Sequence, residues 1–318
     1  SHGGIREFDP RAPELYSPTG KPLNFLKGTV DRGITGGGGE PGVQKTMDYI
    51  TISSTGDAAE FGDLTVARQG AGCASNASIA VFFAGSTDAD LGTLDFITIA
   101  SLGNATDWGD DTPDPREWNS SNCANNTRGV FGGGSTVNTI EYITFSTKGN
   151  TADFGNLTVA RHGNSSCAGT TRGLFAGGGT PSDSDYITTA TLGNATDFGN
   201  LASAKKGPMA AGSSTRACFA GAYSNVSDDI DYFTIASTGD ATDFGNLTAA
   251  RGIGTGVSNS TRGCFMGGRG SDSAPYPGVN VIDYITIGST GDATDFGDLT
   301  DARRYISGGA SDSHGGLA

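Results

Sequence analysis

Groups that ionise, attack or ligate are unevenly supplied in this chain. Its 318 residues include 34 Asp and Glu, 20 Lys and Arg, 5 Cys and 3 His. The histidines are His2, His162 and His314, and two of them stand in the terminal phrases. No His-Glu-x-x-His, Gly-x-Ser-x-Gly or Cys-x-x-Cys arrangement occurs. Carboxylates are numerous enough for a glycosidase pair. A catalytic acid should depart from its surroundings, however, and most acids here recur at fixed places in a repeated phrase. "GGGG" at 36–39 lacks the Lys-Ser/Thr and the helix of a phosphate loop. Asp292, Asp295 and Asp298 stand three apart, whereas calcium loops use alternate positions around a tight turn. They read as a solvated acidic rim. The expectation is a non-enzymatic protein with no catalytic residue, no cofactor and no metal.

Five cysteines cannot all pair with one another. Cys73, Cys123 and Cys167 sit in runs of small residues, and Cys218 and Cys264 take the slot held by Val130 and Leu174 in sister phrases. Both patterns fit small buried hydrophobes. The formal net charge of −14 and a pI near 4.4 disfavour nucleic acid and anionic membrane surfaces as partners. No apolar run approaches the ~18 residues of a membrane span.

Ten Asn-x-Ser/Thr sequons occur, among them Asn104, Asn156, Asn194 and Asn246. In a secreted eukaryotic setting these four would be glycosylation candidates. Yet Asn104 and Asn194 exchange with Asp57, Asp240 and Asp292 in equivalent phrases, and Asn156 and Asn246 with Asp63, Asp110 and Asp298. Asn and Asp share turn chemistry rather than glycan chemistry, which favours a structural role.

The phrase that organises these residues is written six times. An acidic residue precedes an aromatic at Asp48-Tyr49, Asp95-Phe96, Glu141-Tyr142, Asp185-Tyr186, Asp231-Tyr232 and Asp283-Tyr284, at intervals of 44–52 residues. That period suits four-stranded propeller blades or helical repeats. "DYITIAS"-type stretches are β-branched and aromatic with period-2 character. A Gly turn follows, then a short strand of the "ATDFGDL" type, a run of small residues, and "LFAGG". Four short strands with Gly at every turn and no helical periodicity predict a six-bladed all-β propeller. The small-residue strands belong innermost, where space narrows. The strands carrying Phe61, Trp108, Phe154, Phe198, Phe244 and Phe296 belong further out. "YISGGAS" at 305–311 has no completed blade, and "RGITGGGG" at 32–39 has no preceding inner strand. Their pairing would close the ring across the chain ends.

Two features recur with the anchor. Acids such as Asp185, Asp231 and Asp283 are matched by Arg172, Arg216 and Arg262 in the glycine-strand phrase, as are Arg32 and Arg128 elsewhere. Partly buried ion pairs between these two sets are the expectation, because a lone buried charge is costly. Departures from the repeat are the places to seek binding. "DTPDPREWNSSN" at 111–122 adds Trp118, and "RGSDSAPYPGVNV" at 269–281 adds Tyr276. Both are candidate binding-loop aromatics for glycan or protein, or else plugs between blades.

The pattern resembles the Kelch repeat. Gly133-Gly134, Gly177-Gly178 and Gly267-Gly268 match its paired glycines. Phe154, Phe198, Phe244 and Phe296 stand where Kelch usually has Trp, which Trp108 keeps, and Arg68, Arg161, Arg251 and Arg303 match its late Arg. The opening "SHGGIREFDPRAPELYSPTGK", followed by "DATDFGDLTVAR"-type repeats, resembles propeller proteins of marine, cyanobacterium-infecting phages. Such proteins are taken to be virion or tail-associated structural components.

The chain therefore divides into an extended arm at 1–31, rich in Pro and charge, a Kelch-like propeller at 32–311 and a tail at 312–318. The tail "SDSHGGLA" echoes the opening "SHGGIREF", which fits a tandem array or an imitation of the "STRGLF" phrase. The resemblance implies a structural building block of a virion appendage or extracellular fibre. It would assemble with homo- or hetero-oligomeric partners through residues 1–31 and the tail. The alternative is a glycan- or receptor-binding propeller used for attachment.

Overall fold

The computed structural model describes residues 15–16, 22–23, 30–40, 42–109, 111–117, 123–178, 182–223, 225–271, 273 and 275–317. Six four-stranded antiparallel sheets form the blades of a propeller, and Leu15–Tyr16 pairs with Pro22–Leu23 as a separate short hairpin. From the innermost strand outward, blade 2 is Gly72–Ser75, Ile79–Phe83, Leu94–Thr98 and Thr106–Asp107. Blade 3 is Cys123–Ala124, Arg128–Gly132, Val137–Thr144 and Ala152–Arg161. Blade 4 is Asn164–Ala168, Arg172–Gly177, Asp183–Thr188 and Thr196–Asn200. Blade 5 is Met209–Gly212, Arg216–Ala222, Ser227–Thr234 and Thr242–Asn246. Blade 6 is Thr255–Ser258, Arg262–Arg269, Gly278–Thr286 and Thr294–Arg303.

Blade 1 joins the two ends of the chain. Its innermost strand is Ser307–Ser311, followed by Arg32–Gly38, Gln44–Thr51 and Ala59–Asp63. The pairing is antiparallel, with Ser311 opposite Gly33, Ala310 opposite Ile34 and Gly309 opposite Thr35. Closure falls where the unmatched phrases of the sequence placed it.

The innermost strands adjoin one another round the axis. Backbone meets backbone there: a Cβ added to Gly256 would lie 2.1 Å from the Ala210 carbonyl oxygen. Serine hydroxyls bridge the crowded strands. Ser75 Oγ donates to the Ser311 carbonyl at 2.9 Å, Ser311 Oγ to the Ser258 carbonyl at 2.6 Å, and Ser258 Oγ to the Gly212 carbonyl at 2.7 Å.

Apolar side chains are buried between blades, in six clusters. Phe61, Leu64 and Met47 of blade 1 pack on Phe82 and Ile97 of blade 2, and Phe296 and Leu299 of blade 6 pack on Ile50 and Ile52 of blade 1. The outer aromatic of every blade meets that blade's anchor aromatic edge to face, as in Tyr186–Phe198 at 5.7 Å and Phe96–Trp108 at 5.7 Å.

The outer rim is laced by turns. Gly193 N–H donates to the Phe154 carbonyl of the preceding blade at 2.8 Å, and Asn194 Oδ1 accepts from Asn156 N–H at 3.0 Å. The same pair of bonds joins blade 6 to blade 1, through Gly56 to Phe296 and Asp298 N–H to Asp57. An Asn or Asp oxygen serves equally well, which explains their exchange. Gly155 allows this approach: its φ is +145°, and a Cβ there would lie 2.4 Å from the Gly193 carbonyl oxygen.

Candidate functional site: the ion-pair ring and the two mouths of the channel

Each anchor acid is buried and receives a cation and, in most blades, a Thr hydroxyl from the end of the previous blade's outer strand or from the segment just after it. Asp95 takes Arg68 at 2.7 Å together with Thr65; Asp283 takes Arg251 at 2.7 Å together with Thr248. Asp185 is held by Arg161 and Thr158, and Asp48 by Arg303 and Thr300. The last of these is a second fastening across the ring closure. Burial pulls the Arg68 and Arg251 guanidinium groups below their ordinary values, and the facing carboxylates oppose that shift.

The expected partners of these acids are corrected. Arg172, Arg216 and Arg262 do not reach Asp185, Asp231 and Asp283. They lie over Tyr186, Tyr232 and Tyr284, at 4.5, 4.5 and 4.3 Å from the ring centroids. From there each donates to a carbonyl of the next blade, Ile235, Ile287 and Ile52 respectively. Strand register is the reason. Arg172 faces Thr188, two residues from Tyr186 and so on its side of the sheet, while Asp185 points to the other side. In blade 2 the Arg slot holds Ile79, and Lys148 of the neighbouring turn covers Phe96 instead, at 3.6 Å.

Blades 3 and 5 vary this scheme. In blade 3 the irregular phrase "DTPDPR" keeps the chemistry, because Thr112 and Arg116 both bond Glu141, the latter at 2.5 Å. In blade 5 the cation is Lys205, 3.6 Å from Asp231, and Ala202 takes the Thr position. Asp231 Oδ2 has no hydrogen-bond partner, and burial raises the Asp231 carboxyl above its usual range.

The tail closes one mouth of the axial channel. His314 is buried and its Nε2 lies 2.8 Å from the Ser75 carbonyl oxygen. Gly315 packs on Ser213 and Ala168, and Gly316 on Ala124, within the 3-10 turn Gly315–Leu317. These contacts fall at the ends of the innermost strands of blades 2 to 5. Asp312 Oδ2 accepts the backbone N–H groups of Val30 at 2.5 Å and Asp31 at 3.2 Å, much as Asn125 and Asn259 cap the same turn in blades 3 and 6. The segment set apart as a tail at 312–318 is thus, through residue 317, part of the ring's interior. Burial pushes the His314 imidazole down to about 4 and raises the Asp312 carboxyl.

The other mouth is open. It holds a shallow depression, with a cavity volume of ≈ 50 Å³, at the N-terminal ends of innermost strands. Gly70, Gly163 and Gly207 occupy one repeated slot there with φ of +62°, +66° and +64°. Ile253 and Tyr305 hold that slot in the last two linkers, both at φ +51°. On the same face, Asp90, Glu117, Ser135, Thr136 and His162 ring a second depression. Ser135 donates to Asp90 at 2.8 Å and Ser86 to Glu117, so these acids have protein partners. Among the described residues, no group of three or more His, Cys, Asp or Glu is placed to hold a metal ion.

Of the candidate binding aromatics, Tyr276 is 40% exposed, and Trp118 lies outside the described residues. Asn104, Asn156, Asn194 and Asn246 are exposed at the rim, where Asn104 Oδ1 accepts from Asp63 N–H and Asn246 N–H donates to Asp292. All five cysteines are buried and free of disulfides, and burial raises the thiols of Cys73 and Cys123. No protein-family model matches the chain, and no curated protein is detectably similar to it.

Proposed function

We propose that the chain is a non-enzymatic structural module: a Kelch-like propeller incorporated into a virion appendage or extracellular fibre. One observation carries this reading. The groups best suited to chemistry are committed to holding blades together: each anchor acid faces a cation from the previous blade, and His314 is sealed inside one mouth. Residues 312–317 are occupied in the ring, so attachment to other subunits falls to residues 1–29. The paired glycines, the edge-to-face aromatics and the late Arg support the Kelch likeness, and the opening phrase supports the phage likeness.

Sedimentation of the whole chain against a chain beginning at Val30, together with images of the native assembly, tests the proposal. The expected result is higher-order association of the whole chain and a folded monomer for the shortened one. Equal association of both, or hydrolysis of a polysaccharide by the purified chain, would contradict it. A second reading, attachment through a bound glycan, is favoured by the open mouth.

A further inference from the structure

Cations and tyrosines alternate along one sector of the open face. Lys206 Nζ lies 5.5 Å from the Tyr223 ring centroid. Arg269 Cζ lies 5.3 Å from the same ring and 4.7 Å from that of Tyr276. Arg304 donates to the Tyr276 carbonyl at 2.7 Å, and its Cζ stands 5.2 Å from the Tyr305 ring, which lines the depression at the mouth. The ladder runs from the linker entering blade 5, across the loops of blades 5 and 6, to the linker entering blade 1.

Three features set this sector apart from the repeat. Lys206 faces the Tyr223 ring, and among the described residues no ion pair places a carboxylate within 4 Å of it, in a chain whose acids outnumber its Lys and Arg by 34 to 20. Arg304 pairs with Glu40 at 3.4 Å, and its Nε is buried without a hydrogen-bond partner. The backbone also holds Ile253 and Tyr305 at φ of +51°, where sister linkers use Gly, and Tyr276 of the inserted loop at +56°. Strain of this kind gathers where a surface is shaped for binding. Tyr305 borders the depression at the mouth and the rest of the ladder lies outside its lining; aromatic surfaces with a few charges beside them suit a ligand of mixed character.

We propose that this sector binds an anionic saccharide, with the Tyr223, Tyr276 and Tyr305 rings against the sugar's apolar faces and Lys206 and Arg304 beside its carboxylate or sulfate, while the buried Arg269, bonded to the Ser271 and Tyr223 carbonyls, holds the Tyr223 and Tyr276 rings in place. An extended polyanion such as nucleic acid is disfavoured, because the remainder of a chain with net charge −14 repels it. The inference rests on the attachment reading and gives it a ligand class; it does not depend on the building-block reading.

Calorimetric titration of the whole chain tests it, using oligogalacturonate and a sulfated oligosaccharide, with a neutral dextran oligomer and a short single-stranded DNA as comparators. The expected result is saturable binding of an anionic saccharide that weakens as salt rises. Lys206→Gln and Tyr276→Ala should each weaken it tenfold or more, and Lys206→Arg and Tyr276→Phe should retain it. Tyr276 is exposed, so its Ala variant keeps the fold, which an unchanged melting temperature verifies. Binding of the neutral oligomer alone would overturn the ligand class while leaving attachment by glycan in place. No saccharide binding at millimolar concentration would overturn both. DNA binding as tight as the saccharide's, or variants that bind like the parent, would overturn the assigned site.

Discussion

His314 occupies the most consequential buried position of any titratable side chain near the axis. In the unfolded chain its imidazole titrates near 6.5; in the fold, burial holds it at about 4. As pH falls the unfolded chain therefore takes up the proton first. The stabilisation is complete above 6.5 and drains as pH drops toward 4, by roughly 3 kcal/mol. Thermal melts at pH 7.5 and 4.5 should show this loss, and His314→Gln should remove most of it. The weak pair in blade 5 gives a second expectation. Ala202→Thr with Lys205→Arg restores the hydroxyl and the guanidinium found in blades 1, 2, 4 and 6, and shortens the 3.6 Å contact at Asp231 Oδ2 to a hydrogen bond. Denaturant midpoints should rise by the equivalent of about 1 kcal/mol or more. At this scale the importance of the anchor acids was legible from recurrence alone, but their partners were not, because two Arg slots recur equally well. The alternation of side chains along a strand was the missed signal. In "Asp-Tyr" the two side chains must point to opposite faces, so an Arg seated on the tyrosine cannot also serve the acid.

The strands and turns explain why the sequence repeats so closely. A turn in one blade hydrogen-bonds to the outer strand of the one before, and that contact requires Gly at the Phe-Gly position. Gly155→Ala should cost about 2 kcal/mol or more, since it combines a strained φ with a clash against the Gly193 carbonyl. Gly193→Ala is the control: its φ is also positive, but a Cβ there meets nothing within 4 Å. Equilibrium unfolding of the two variants should separate by the cost of the clash. Blade number and closure were legible because each strand type has its own vocabulary, and one inner strand was missing at the start and spare at the end. The plug was not legible. "SHGGL" occupies a place used once per ring, so no sister phrase reveals it, and its two glycines matter only where the backbone passes other strands closely.

Across the whole molecule, every apolar cluster is shared between adjacent blades, so each blade depends on both neighbours for its core. The joint between Ser307–Ser311 and Arg32–Gly38 is reinforced by Arg303 and Thr300 on Asp48, by Asp312 on Val30, and by the buried turn at 315–317. A ring sealed in this way should open only as a unit. Amide hydrogen exchange of the peptide spanning 305–317 tests this claim most directly. The account predicts that Ala310, Ser311 and Gly316 exchange as slowly as the innermost strand Asn164–Ala168, at the rate of global unfolding. Exchange of 305–317 within seconds, while Asn164–Ala168 stays protected, would contradict it.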